Sequence, residues 1–323
     1  MLTGGGGNSS RMKSRDDLNL VLKVNMENAP IFFVLQETGL FLKGEILKVK
    51  DVRFMTPEEI SSASSIKVVC MEDPSEQDYI QAQLMLEVIQ KNNKLGKPSM
   101  FIIPVGPIGY MEKFAALVNE FRVSLKNVTI INMDEYMITA KELISPDHPM
   151  SFRYITKTNL YDKIDDELNV LPENRLFPDP EDPLYLWERI QAKEGGVDIC
   201  FGGIGMDGHI AFNEPPLEPM SPEDFAELHT RVLPIYYSTR ITNAISEGGN
   251  FRNMPGFCVS IGMKEIMSSQ KLVFFNAWPT AANAMKRIVA GPVTSDYPGS
   301  IMQWHKDCTI YTTKEVLNTT LVI

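Results

Sequence analysis

Leu18, Leu20, Leu22 and Val24 alternate with polar or outward positions, the period-two signature of a half-buried strand. Apolar runs at 31–35 and 40–49, punctuated by Gly39 and Gly44, extend the pattern to a small β appendage ending near residue 66. The stretch ahead of it, 1 to 17, is rich in Gly, Ser and Asn and has the composition of a linker. From residue 67 the rhythm changes to short apolar runs separated by helical segments. Strands are predicted at 67–71, 100–105, 128–132, 197–203, 257–261, 272–276 and 309–312. Ser75 with Asp78 predicts a capping box for a helix carrying Ile80, Leu84 and Val88 on one face, and Gly96 ends it.

Strands apolar on both faces, alternating with helices, predict an α/β domain over 67–323 with 1–66 as an extension. Its sheet should be mostly parallel and doubly wound, Rossmann-like, with helices on both faces. In such sheets ligands bind at the carboxyl ends of the strands, so any site is expected just after these runs.

Composition narrows the class without changing this picture. The chain has 323 residues, 44% hydrophobic and 22% charged, as ordinary globular proteins do. A formal charge of -10 disfavours nucleic acid and anionic membrane as partners, since both recruit clustered Lys and Arg. Cys70, Cys200, Cys258 and Cys308 lack CxxC spacing and read as reduced thiols. No run of about 18 apolar residues suggests a membrane span, and a Gly-rich start is unlike a signal peptide, so a cytoplasmic location is expected.

The richest segment follows the strand predicted at 197–203: Gly-Ile-Gly-Met-Asp-Gly-His-Ile-Ala-Phe-Asn-Glu-Pro-Pro, residues 203–216. It holds Asp207, His209 and Glu214, and a carboxylate beside an imidazole fixes its tautomer and raises its basicity. Gly203, Gly205 and Gly208 also satisfy G-x-G-x-x-G, but Asn213, Pro215 and Pro216 interrupt the helix a dinucleotide site needs, and a loop is the better reading. A metal site is a further alternative; His148, His229 and His305 have no ligand-like spacing, and neither metal nor cofactor is expected. A buried structural Asp–His pair also remains open. The second acidic pair, Asp134 and Glu135, follows the strand at 128–132, where simple helix capping competes with acid/base chemistry.

Through Ile-Asn-Met-Asp-Glu-Tyr at 131–136 and Gly-Gly-Ile-Gly-Met-Asp-Gly-His-Ile-Ala-Phe-Asn-Glu-Pro at 202–215, the chain resembles the glucosamine-6-phosphate deaminase/isomerase family. Weaker similarity in order and spacing runs over 67–323. The resemblance implies a metal-independent enzyme acting on an amino sugar, releasing ammonia and forming the ketose. It assigns the proton shuttle between C2 and C1 to Asp134, and ring opening to His209 oriented by Asp207 and Glu214. It places Gly106, Gly109, Glu135, Gly203, Gly205 and Gly208 around the substrate, and makes a homo-oligomer one of the expectations. A sugar lactonase of the same fold and a silent sugar-binding protein are the alternatives.

The chain departs from the family at the phosphate. A Thr-Gly-Gly-Thr-type loop cradles it in the family, whereas Pro104-Val105-Gly106-Pro107-Ile108-Gly109 stands here, without either hydroxyl and with one amide replaced by proline. The family's phosphate-binding arginine falls near Ile245 and its lysine near Thr280; Arg231, Arg240, Lys264, Lys286 and Arg287 are the nearby cations. Either the phosphate pocket is rebuilt from other residues or the substrate lacks the phosphate.

Overall fold

The computed structural model describes residues 51–246 and 249–319, so the strands expected at 18–24, 31–35 and 40–49 lie outside the described residues. The first elements are α1 (Pro57–Ser61), β1 (Lys67–Met71), α2 (Glu76–Lys94), β2 (Ser99–Ile103), α3 (Gly109–Glu120) and β3 (Val128–Asn132). Next come β4 (Asp134–Thr139), β5 (Glu142–Leu143), α4 (Phe152–Asn159), β6 (Arg175–Leu176), α5 (Tyr185–Ala192), β7 (Ile199–Gly203), α6 (Pro222–Ala226) and β8 (Arg231–Pro234). The chain continues through α7 (Tyr237–Ser246), β9 (Phe257–Ser260), α8 (Met263–Met267), β10 (Lys271–Asn276), α9 (Ala282–Ala290), β11 (Cys308–Thr313) and α10 (Lys314–Asn318).

Seven strands form a parallel sheet in the order β1-β11-β10-β7-β2-β3-β6. Successive side chains of a strand point to opposite faces, and the two cores follow that alternation. Met100, Ile102, Cys200, Leu272, Phe274 and Ile310 pack on one face with Leu186 and Ile190 of α5 and Met285, Ile288 and Val289 of α9. Phe101, Ile103, Phe201, Val273 and Phe275 pack on the other with Met85 and Ile89 of α2 and Phe114 and Val118 of α3. The doubly apolar strands in the sequence are therefore strands covered on both sides, as expected.

Strand order reverses between β2 and β7. From β2 the chain winds outward through β3 to β6, then returns with β7 on the other side of β2 and continues outward through β10 and β11. The loops leaving β2 and β7 consequently diverge and open a crevice at the carboxyl edge.

Three sequence expectations change. The run at 257–261 is β9, which belongs to a second, antiparallel sheet of order β5-β4-β9-β8 rather than to the parallel one. This sheet encloses its own small core, with Tyr136, Ile144, Phe212, Ile235 and Cys258. Ser75 does not form the capping box: it is already in helical conformation and its hydroxyl donates to Asp73 Oδ1 at 2.6 Å, while Glu76 accepts from the amides of Glu72 and Asp73. Finally, residues 51–66, assigned to the extension, contain no strand. Thr56 caps α1 through Glu59 N at 3.3 Å, and Ile60 and Ile66 enter the core with Met285 and Ile288. The compact unit runs from Lys50. No helix among the described residues is long and apolar enough to cross a membrane.

Candidate active site

A cavity of about 750 Å³ lies at the crevice, within the usual range for small-ligand sites. The loop after β2 supplies Pro104 to Ile108, and the loop after β7 supplies Gly203 to Asp207 and His209. Met133 and Asp134 come from the junction of β3 with β4, and Phe152 and Ile155 from α4. Ser238, Thr239, Thr242 and Asn243 close the far wall from α7. Asp134 and the Asp207–His209 pair, far apart in sequence, thus open onto the same space, while Glu214 stands behind the lining.

Asp134 is the first residue of β4, paired with Ser260 of β9, and 7% exposed. Among the described residues no group donates a hydrogen bond to its carboxylate. Burial, and secondarily the neighbouring charge of Glu135, push its pKa from 3.8 to about 8. A carboxyl so placed is protonated at neutral pH and, once ionised, is a far stronger base than an aspartate in water.

The acid/base loop is built differently. Asp207 Oδ1 meets His209 Nδ1 at 2.6 Å and also accepts the His209 amide at 3.1 Å, so one carboxylate oxygen fixes both backbone and ring. Burial raises the Asp207 pKa, but these bonds to His209 outweigh it and hold the carboxyl below its ordinary value. Glu214 is pushed upward by burial, opposed by the Tyr236 amide that donates to Oε2 at 2.8 Å. Donor atoms of Asp207, His209 and Glu214 all lie within 4.8 Å of one another, a spacing that serves a proton network and that a cation could also occupy.

The glycines of this loop have separate uses. A Cβ on Gly205 would stand 2.2 Å from His209 Cε1, so the imidazole lies where a side chain would be. Gly208 has φ +84, a left-handed conformation that costs glycine little. Ala211 adopts φ 54 without that freedom, and strain of this kind is held only where the surroundings fix it. They do so here: Phe212 N donates to Ser260 Oγ at 3.1 Å, and Asn213 Nδ2 to the carbonyls of Ile210 and Ile261 at 3.0 and 2.9 Å.

Gly106, Gly203 and Gly205 line the cavity; Gly109, Gly208 and Glu135, expected around the substrate, do not. Gly109 starts α3 behind the loop, and Gly208 packs on Tyr297. Glu135 points away, because side chains alternate along β4 and Asp134 takes the cavity face. It is fully buried and accepts from Ser151 Oγ at 2.8 Å, from the amides of Tyr136, Phe152 and Arg153 at 2.8, 2.9 and 3.0 Å, and from Arg153 Nη1 at 3.4 Å. Capping is therefore its part of the Asp-Glu pair, applied to the distant helix α4.

No protein-family model matches the chain. Glucosamine-6-phosphate deaminase of Lacticaseibacillus paracasei is 34% identical over 200 residues, 61% of this chain and 77% of the relative. The chain belongs to the glucosamine-6-phosphate deaminase family. Glucosamine-6-phosphate deaminase 2 of Bacillus subtilis is 29% identical over 253 residues, 76% of this chain and 94% of the relative. Among solved structures, a monomeric glucosamine-6-phosphate deaminase superposes with a TM-score of 0.66 at 24% identity, covering 78% of this chain and 98% of its own. The fold is shared more widely: 6-phosphogluconolactonase of Thermotoga maritima reaches a TM-score of 0.54 at 14% identity, covering 76% and 99%.

Within the family fold, the α7 wall and the Tyr136–Phe152–Phe212 aromatic group were not foreseen. Tyr136 and Phe152 ring centroids are 4.6 Å apart, and Phe152 stacks on Phe212 at 6.5 Å. A signal for α7 does exist in the chain: Ser238, Thr239, Thr242 and Asn243 form one polar stripe at helical spacing.

Proposed function

We propose that this family member is an amino-sugar deaminase and aldose–ketose isomerase, with Asp134, Asp207, His209 and Glu214 as its acid/base groups. The observation that supports it best is the shared cavity, which puts a buried carboxyl of raised pKa and an oriented imidazole on one ligand. His209, fixed through Nδ1 by Asp207, takes the C1 hydroxyl proton and delivers it to the ring oxygen as the C1–O bond opens to the aldehyde. Asp134, ionised, removes the proton from C2 as a proton of the substrate ammonium passes to the C1 oxygen, giving an enolamine, and returns the C2 proton to C1. The resulting C2 imine adds water and expels ammonia, leaving the ketose. All the protons move on this chain's own side chains, so no metal enters the scheme.

The lactonase alternative leaves Asp134 without a task. Hydrolysis of a lactone moves no carbon-bound proton, and a desolvated carboxyl of pKa about 8 is costly to keep. Ammonia and ketose measured together after incubation with a panel of hexosamines and their phosphates test the proposal: both products in equal amounts are expected. Hydrolysis of a sugar lactone without deamination of any panel member contradicts it.

A further inference from the structure

Given the deaminase reading of the cavity, what remains open is the sugar's far end, away from the amine. A phosphate dianion is held by cations or by free amides at helix N-termini. The first kind of donor is missing from the described lining. Among the described residues lining the cavity there is no lysine or arginine. The basic residues near it in sequence are engaged elsewhere: Arg231 Nη1 donates to Asn213 Oδ1 at 2.8 Å, Arg240 Nη2 to the Met254 carbonyl at 2.8 Å, and Lys286 Nζ to the Thr319 carbonyl at 2.7 Å.

Three helices begin around the cavity with a carboxylate beside each start, hydrogen-bonded to the first amides at α4, to the preceding residue at α7, and adjacent to α3 without a capping bond. Glu135 accepts the first amides of α4. Glu214 accepts the amide of Tyr236, the residue preceding α7. At α3, a Cβ on Gly109 would stand 2.0 Å from Asp78 Oδ2, so that carboxylate covers the first residue of the helix. Pro107, just ahead of α3, has no N–H to offer. The loop instead turns Val105, Pro107 and Ile108 toward the ligand.

We infer that the substrate is an unphosphorylated 2-amino-2-deoxyhexose and that the cavity selects against its 6-phosphate ester. Asp207, on the cavity wall, supplies a carboxylate that suits the ammonium of such a sugar and opposes a dianion. Asp207 Oδ2 is buried and accepts no hydrogen bond from the described residues, leaving an acceptor for a hydroxyl or ammonium of the ligand. Ser238 and Thr242 present hydroxyls that suit the hydroxyl groups of a sugar.

The test compares the full chain's kcat/KM for ammonia release from D-glucosamine and from D-glucosamine 6-phosphate. Calorimetric binding of 2-amino-2-deoxy-D-glucitol and its 6-phosphate, which have no carbonyl and cannot react, runs beside it. The free sugar is expected to exceed the ester by about tenfold or more, because the described lining offers the dianion no cation to offset its desolvation, and the glucitol to bind more tightly than its phosphate by a similar factor. Equal or better use of the ester, or tighter binding of the phosphorylated glucitol, overturns the inference. Preferred binding of the unphosphorylated glucitol with no ammonia from either sugar upholds the selectivity and overturns the deaminase reading instead.

Discussion

Asp134→Asn separates what this residue does for chemistry from what it costs the fold. The carboxyl titrates near 3.8 when unfolded and near 8 when folded, so between those values the native state holds a proton that the unfolded chain releases. Stability is therefore lost progressively as pH rises from about 4 to about 8. Each pKa unit corresponds to about 1.36 kcal/mol, and summing the two titrations gives a loss of about 3 to 4 kcal/mol between about pH 5 and pH 8. Asparagine has nearly the same shape and does not titrate. Its variant should thus gain stability relative to the parent by that amount over the same interval, while losing deaminase activity. Urea unfolding at several pH values measures the difference directly. Parallel stability curves for parent and variant would show that Asp134 is not desolvated, and would remove the reason for its basicity.

Other outcomes follow from the same geometry. The kcat/KM of the free enzyme should rise with pH up to about 8 as Asp134 ionises, and Glu135→Gln should move that limb to lower pH by removing the adjacent charge. Glu135→Ala, which strands several buried donors, should cost about 3 kcal/mol or more of stability in chemical denaturation. Gly205→Ala pushes a methyl into the His209 ring and should lower kcat by about a hundredfold, with the ring's displacement visible in its NMR shifts. EDTA treatment followed by metal-free assay should leave activity unchanged, since the proposed proton transfers need only side chains.

Much of the fold was legible because strands covered on both faces must be apolar throughout, and the runs at 128–132 and 272–276 say so plainly. Gly96 likewise announced the end of α2, where it takes φ +66. The second sheet was not legible. Its strand β4 opens on two acids, β8 is only four residues long, and β9 has the same apolar character as a parallel strand; only pairing with distant segments distinguishes them. The site was half visible for a related reason. Asp207, His209 and Glu214 lie in one loop and announce themselves by spacing, and Asp134 by its place after β3. Glu135 misled because two adjacent acids in a strand face opposite ways, and the partner it caps begins at Phe152, well along the chain.

Hydrogen exchange at C2 of the amino sugar probes Asp134 most directly. D-Glucosamine and its 6-phosphate are incubated in heavy water with the wild-type chain and with Asp134→Asn, and loss of the C2 proton signal is followed by NMR. The wild-type chain should exchange that proton, or carry it to C1 of the ketose, and the variant, with His209 still held by Asp207, should do neither. Exchange by the variant at the wild-type rate would contradict the assignment of the carbon-bound proton to this carboxylate.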